Sequence, residues 1–88
     1  MFIILIYDVG AKRCNKLLKI CRKYLTWVQN SVFEGEIGKA DYKKILYEIN
    51  SVIKEEEGDS VVVYIFRSLA YYKREVYGID KKEDFQFL

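Results

Sequence analysis

The sequence predicts an α+β fold in which two helices cover one face of an antiparallel sheet. Apolar runs too short for helices alternate along the chain with two longer segments whose apolar residues recur at helical spacing. With 88 residues and 51% hydrophobic side chains, the chain suits one folded domain and not a disordered segment. A domain this small does not easily hide so much apolar surface, so we expect a homodimer.

The first strand and the first helix are predicted from the N-terminal quarter of the chain. Residues 1–9 form an Ile-rich apolar run, typical of a central strand, and Gly10 then turns the chain. Residues 11–25 have apolar side chains at helical spacing and lysines on the opposite side. Up to residue 33 the chain carries six positive side chains and one negative, against nine and twelve afterwards. This distribution indicates a polyanion-binding helix, or simply a solvated one.

A second strand and a second helix follow. Residues 26–37 are interpreted as one strand, in which Gly35 could mark a bulge. Residues 41–54 show the clearest helical periodicity in the chain, and the dipeptide Gly58-Asp59 is a stop and turn signal.

The C-terminal part is predicted to be strand-rich. Residues 61–66 and 71–77 are interpreted as strands joined by a hairpin-like return. Residues 85–88 alternate again and are expected to add to a neighbouring protomer's edge, unless they form a frayed tail. The order predicts a ferredoxin-like βαββαβ sandwich with an extra C-terminal strand, homodimeric, divided into a domain (1–78) and a partner-contacting extension (79–88).

The residue types exclude several kinds of chemistry. The chain has no histidine, so the commonest general base and the usual zinc ligand are absent. No phosphate-binding glycine loop is found. Cys14 and Cys21 are seven residues apart on one helix, about 10.5 Å, beyond the roughly 7 Å reach of a disulfide. We therefore expect a soluble cytoplasmic protein with reduced thiols.

Asp8 is the candidate catalytic and metal-binding residue. It is the only carboxylate before Glu34, and it closes the first strand just ahead of the basic helix. Mg²⁺ or another hard divalent cation commonly uses only one or two protein carboxylates. Two Asp8 side chains of a homodimer would flank one ion, which activates water without a histidine. The alternative is that Asp8 only ends the strand and caps the helix.

The candidate nucleic-acid contacts are basic and aromatic. Lys12, Arg13 and Lys16 are expected to hold phosphates, a contact without base specificity. Phe33 and Tyr64 could stack on bases, although strand aromatics more often belong to a core.

Four segments closely resemble the CRISPR-associated Cas-two family, in order and over nearly the whole chain. They are Leu5-Ile6-Tyr7-Asp8-Val9, the pair Arg13 and Lys16, Val28-Gln29-Asn30-Ser31-Val32-Phe33-Glu34-Gly35-Glu36, and Val63-Tyr64-Ile65-Phe66.

The resemblance implies a ferredoxin-like homodimer acting in CRISPR spacer acquisition, as a metal-dependent endoribonuclease or double-stranded deoxyribonuclease. It also implies an alternative role as a non-catalytic scaffold that binds duplex DNA and bridges the Cas-one integrase. By position, Asp8 matches the metal-binding catalytic acid, Arg13 a nucleic-acid contact, and Tyr7, Ser31 and Phe33 the motif near that site.

Overall fold

The computed structural model describes residues 1–83. Its elements are β1 (Phe2–Asp8), α1 (Ala11–Arg22), β2 (Thr26–Gln29), β3 (Val32–Glu36), α2 (Lys39–Asn50) and β4 (Ser60–Phe66). Short 3₁₀ turns lie at Glu55–Glu57 and Leu69–Tyr71. This order confirms the predicted α+β sandwich of the ferredoxin-like βαββαβ kind.

The four strands form one antiparallel sheet in the order β2-β3-β1-β4. β1 is central, which explains why its sequence is apolar on both faces. In its register, Ile4 lies opposite Glu34 of β3 and Tyr64 of β4.

The core lies between the sheet and the two helices. Alternate β1 side chains point to the helices and are buried, whereas Ile4, Ile6 and Asp8 point to the other side, which we call the open face. The buried cluster contains residues from both helices and from the two central strands, β1 and β3: Ile3, Leu5, Tyr7, Leu17, Cys21, Phe33, Ile45 and Ile49. Helical spacing on α1 and α2 therefore marks the sheet-facing side, as predicted.

The segment predicted as one strand over residues 26–37 is a hairpin. Asn30 has a φ of 45°, in the left-handed region that Asn tolerates better than most residues, and it turns the chain between β2 and β3. The bulge lies between Trp27 and Gln29 and not at Gly35.

The predicted helices also differ at their ends from the observed ones, because apolar residues just outside a helix, such as Leu25, continue the periodic pattern.

The strand predicted over residues 71–77, with its hairpin-like return, is wrong. Tyr72 Oη donates a hydrogen bond of 2.7 Å to Glu34 Oε2, and Arg74 Nε lies 3.1 Å from Glu34 Oε1. The segment of residues 72–83, which we call the C-terminal strap, therefore runs over the open face instead of along β4. The sequence suggested a strand here, but the attraction of these side chains to a buried carboxylate determines the path.

The expected extra C-terminal strand over residues 79–88 is not formed in residues 79–83. The Glu83 N–H donates a single hydrogen bond of 3.0 Å to the Trp27 carbonyl of β2. Residues 84–88, which include the expected terminal strand, lie outside the described residues. Within residues 1–83, no helix has the length and apolar character needed to cross a bilayer.

Candidate active site at the end of strand β1

Asp8 is exposed at the last position of β1, on the open face of the sheet. Its Cα pairs with that of Ser60, the first residue of β4. Among residues 1–83, no hydrogen bond or ion pair engages the Asp8 carboxylate. In particular it does not cap α1, since that helix begins after Gly10 without a side-chain cap. The capping alternative is therefore not realised.

The donor set fits a hydrated divalent cation. Both oxygens of an exposed, unpaired carboxylate are available as hard ligands, and Mg²⁺ typically keeps several waters beside one or two carboxylates. In the described part of the chain, no three histidine, cysteine, aspartate or glutamate side chains come together as a metal cluster. Within residues 1–83, Asp8 is therefore not part of a three-ligand cluster.

The motif expected near the site surrounds the strand that ends in Asp8. The Tyr7 N–H donates a hydrogen bond of 3.1 Å to the Ser31 carbonyl, and the Tyr7 ring stacks on Phe33 at a centroid distance of 6.3 Å. Both rings are buried beneath the helices, and burial is the main cause that raises the pKa of the Tyr7 phenol above 10.0. Tyr7 and Phe33 therefore pack the end of β1 against the core, and neither ring is exposed for stacking on a base.

Arg13 is engaged by acidic side chains. Its Nη2 lies 2.9 Å from Asp59 Oδ1, its Nε contacts Asp59 Oδ2, and its Nη1 is 3.7 Å from Glu57. The hydrogen bond from Arg13 is the largest influence on the Asp59 carboxyl and holds its pKa well below the usual range. Arg13 lies next to the Asp8 turn but faces a carboxylate rather than solvent.

The other predicted phosphate contacts are free. Lys12 and Lys16 are exposed on α1, as is Lys19, and none of the three takes part in an ion pair within residues 1–83. Further along the helix, Arg22 pairs with Glu83 and Lys23 with Glu48. Within residues 1–83, the unpaired positive charge of α1 therefore comes from Lys12, Lys16 and Lys19, which occupy the first three turns of the helix.

Sequence reasoning missed two buried acids. Asp59 was assigned to a turn, and the left-handed Gly58 beside it, with a φ of 86°, agrees with that assignment. The pairing of β1 with β4 places the same residue next to the Asp8 turn, a signal available once the strand order is known. Glu34 gave no such signal, because its partners Tyr72, Arg74 and Lys82 are far away in sequence.

Together these features define a class of small ferredoxin-like proteins with a carboxylate at the end of the first strand and a basic helix behind it. The profile of the family described as CRISPR associated protein Cas2 matches residues 1–74. The chain belongs to this family.

Curated relatives and solved structures agree with that assignment. The chain is 48% identical over 88 residues to "CRISPR-associated endoribonuclease Cas2" of Dictyoglomus turgidum, covering 100% of both chains. It is 48% identical over 84 residues to the protein of the same description from Thermotoga maritima, covering 96% and 95%. A structure described as the crystal structure of cas2 superposes with a TM-score of 0.83 at 41% identity, covering 92% and 90%. Streptococcus pyogenes Cas2 superposes with a TM-score of 0.73 at 27% identity, covering 88% and 100%.

Proposed function

We propose that this protein is a metal-dependent endonuclease that cleaves phosphodiester bonds of RNA or duplex DNA during CRISPR spacer acquisition. The observation that carries the proposal is the exposed Asp8 carboxylate at the end of β1, with no cationic side chain of residues 1–83 paired to it. Asp8 neither caps α1 nor pairs with a cation within residues 1–83, so its oxygens are available as metal ligands. The relatives described as endoribonucleases support the same chemistry.

Asp8 would hold the ion, for which Mg²⁺ is the leading candidate. A bound divalent cation lowers the pKa of a water and offsets charge on a phosphoryl group, chemistry that this histidine-free chain has no other obvious means to supply. The residues of the chain then have simpler tasks. Asp8 would bind the ion, and Tyr7 and Phe33 would fix the strand that carries Asp8. Lys12 and Lys16 would orient the phosphate backbone of the nucleic acid.

A homodimer would complete the site. The open face carries a row of exposed apolar side chains beside Asp8: Ile6 is 37% exposed, Val62 45% and Tyr64 54%. Covering this row with a second copy would bury apolar surface and bring the two Asp8 side chains toward a common cleft. The site would then possess two carboxylates instead of one.

The thiols fit a reducing location, so we place the protein in the cytoplasm. Cys14 and Cys21 are free, and burial raises the pKa of the Cys21 thiol to about 12, which keeps it protonated and unreactive. Neither thiol has a task in the proposed reaction.

A cleavage assay of matched variants tests the proposal. Wild-type, Asp8→Asn and Asp41→Asn proteins are incubated with RNA and with duplex DNA, with and without Mg²⁺. Asp41 is a suitable control because it is an exposed acid in the first turn of α2, away from β1. We expect cleavage by wild type and Asp41→Asn only with Mg²⁺, and a loss of at least about 100-fold in Asp8→Asn. Equal cleavage by rigorously purified Asp8→Asn protein would rule the proposal out.

The second candidate is a non-catalytic dimeric scaffold that binds duplex DNA and bridges the Cas-one integrase. The free lysines of α1 and the apolar open face favour it, because phosphate binding and dimerisation need no catalytic acid. In this reading residues 1–78 are the folded domain, and residues 79–88 are the extension that contacts a partner.

Deleting residues 84–88 and measuring capture of the integrase separates the two roles. The scaffold role predicts impaired capture with cleavage retained, and full capture by the truncated chain would count against it. Asp8→Asn protein that binds duplex DNA and integrase normally would show that bridging is independent of the acid.

A further inference from the structure

We propose that Arg13 and Asp59 form a clamp that fixes the turn after Asp8, so that Arg13 is a positioning residue and not a phosphate ligand. The consequence for cleavage rests on the proposed function, whereas the structural part of the inference does not.

Asp59 is a buried carboxylate whose hydrogen-bonding capacity is fully used. Its side chain is only 1% exposed. Oδ1 accepts from the Gly10 N–H at 2.9 Å and from Arg13 Nη2 at 2.9 Å. Oδ2 accepts from the Lys54 N–H at 2.9 Å and from Arg13 Nε. One side chain therefore joins the β1–α1 turn, the first turn of α1 and the segment that follows α2.

The clamp acts on both sides of Asp8. Gly10, which donates to Asp59, is two residues beyond Asp8 in the chain. Ser60, which follows Asp59, is the residue paired with Asp8 across the β1–β4 ladder. Moving Asp59 would therefore shift both Gly10, which follows Asp8 in the chain, and Ser60, which lies opposite Asp8. A catalytic ligand must be held to within about 0.5 Å, and bonds of this kind provide that restraint.

Gly10 is small for a reason connected to the clamp. A Cβ at this position would lie 2.6 Å from Arg13 Nη2 and 3.2 Å from Arg13 Cζ. The backbone of Gly10 is not strained, with a φ of −57°, so the requirement is for space and not for conformational freedom. The Arg13 guanidinium group is packed directly against Gly10, and the N–H of Gly10 donates to Asp59, the partner of Arg13.

Arg13 has little left to offer a phosphate. Its side chain is 12% exposed, and two of its three nitrogens face Asp59 while the third faces Glu57. Binding a phosphate would break a bidentate contact to a buried carboxylate and leave Asp59 with an uncompensated charge. Lys12 and Lys16, which are exposed and unpaired within residues 1–83, require no such exchange.

The test compares Arg13→Gln, Arg13→Lys and Asp59→Asn with Arg22→Gln as the matched control. Arg22 lies on the same helix and pairs with the carboxylate of Glu83, and within residues 1–83 no hydrogen bond or ion pair joins its side chain to residues 8–10. Arg13→Lys keeps the positive charge but loses the bidentate geometry. This milder variant allows the same measurements if the other variants do not fold. The readouts are amide hydrogen exchange, the salt dependence of duplex binding, and kcat and KM for cleavage.

We expect Gly10 amide exchange to accelerate at least about tenfold in the Arg13 and Asp59 variants and to stay unchanged in Arg22→Gln. The salt slope of duplex binding should stay unchanged in Arg13→Gln, whereas Lys16→Gln lowers it by about 0.9. The kcat should fall by about tenfold or more, with KM unchanged.

Two results would overturn the clamp: a salt slope lowered by about 0.9 in Arg13→Gln, or unaltered Gly10 exchange in the Arg13 and Asp59 variants. If wild-type protein cleaves nothing, the proposed endonuclease fails. The exchange rate of Gly10 still decides the clamp in that case.

Discussion

Asp8 and Ser60 lie directly opposite each other at the end of the β1–β4 ladder, on the face of the sheet that the helices leave open. The ladder holds the Asp8 backbone from one side, and the Gly10 hydrogen bond to Asp59 holds the following turn. Its side chain is left exposed beside an apolar surface. A carboxylate that is rigid at its backbone and free at its oxygens is suited to bind a cation with little reorganisation.

The lysines at the start of α1 should contribute to nucleic-acid affinity through charge alone. Replacing Lys12 or Lys16 by Gln should weaken binding equally for duplexes of different sequence and lower the salt slope by about 0.9 for each lysine. Fluorescence anisotropy over a range of salt concentrations measures both effects. Lys73→Gln is the control, because Lys73 is exposed in the C-terminal strap and pairs with Glu75. A slope that changes as much in the control as in the α1 variants would exclude a localised phosphate site.

Phe33 should behave as a core residue and not as a base platform. Its side chain is fully buried against Tyr7, so Phe33→Ala should lower the free energy of unfolding by about 3–5 kcal/mol. Urea unfolding measures this loss. The milder Phe33→Leu variant, which keeps an apolar side chain in place, should bind single-stranded RNA as tightly as wild type. A marked loss of RNA affinity in the folded Phe33→Leu protein would restore the stacking role.

Glu34 should make stability depend on pH through the C-terminal strap. Burial opposes its ionisation, but hydrogen bonds from Lys82 and Tyr72 outweigh burial and lower its pKa below 4.5. A carboxyl whose folded pKa is lowered stabilises the fold fully above its unfolded pKa, and the contribution is lost as the pH falls through the folded value. Glu34→Gln should therefore lower the free energy of unfolding by about 1–3 kcal/mol at pH 7. The loss should become progressively smaller below pH 4.5.

Thermal unfolding of Glu34→Gln between pH 3 and pH 7, in roughly one-unit steps, checks this dependence. Glu36→Gln is the matched control, since Glu36 is an exposed acid of the same strand. The Glu36→Gln substitution should change the free energy of unfolding by no more than about 0.5 kcal/mol. A Glu34→Gln cost that is the same across this pH range would contradict the account.

The open face should mediate dimerisation. Val62→Asp places a charge in the middle of the exposed apolar row and should shift the protein toward monomers, because burying that charge at an interface is costly. Sedimentation velocity at several concentrations measures the shift. Tyr47→Asp is the control, because Tyr47 is 78% exposed on α2, which packs on the opposite side of the sheet. Dissociation by the control and not by Val62→Asp would place the interface elsewhere.

The sequence was sufficient for the α+β sandwich, its two helices and the helix-facing core, because these follow from local periodicity. Residues such as Leu17 and Ile45 occupy the buried face that their spacing predicts. The hairpin at Asn30 was missed because apolar residues continue through it, and only the left-handed backbone marks the turn. Asp8 was chosen as the candidate site residue because it is the only acid before Glu34 and it ends an apolar strand, a pattern visible in the sequence itself.

Long-range polar contacts could not be predicted in this way. Arg13 and Asp59 are 46 residues apart, and Glu34 and Tyr72 are 38 apart, so no local pattern links either pair. Both contacts form because strand pairing brings the residues together and burial then requires each carboxylate to have donors. The path of the C-terminal strap and the engagement of Arg13 are consequences of this tertiary requirement.

Binding of Mn²⁺ to the purified protein, followed by electron paramagnetic resonance, is the most direct test of a metal site shared by two Asp8 carboxylates. We expect one ion per two chains in the wild-type protein and loss of that ion in Asp8→Asn. One ion for every chain, or undiminished binding by Asp8→Asn, would contradict it.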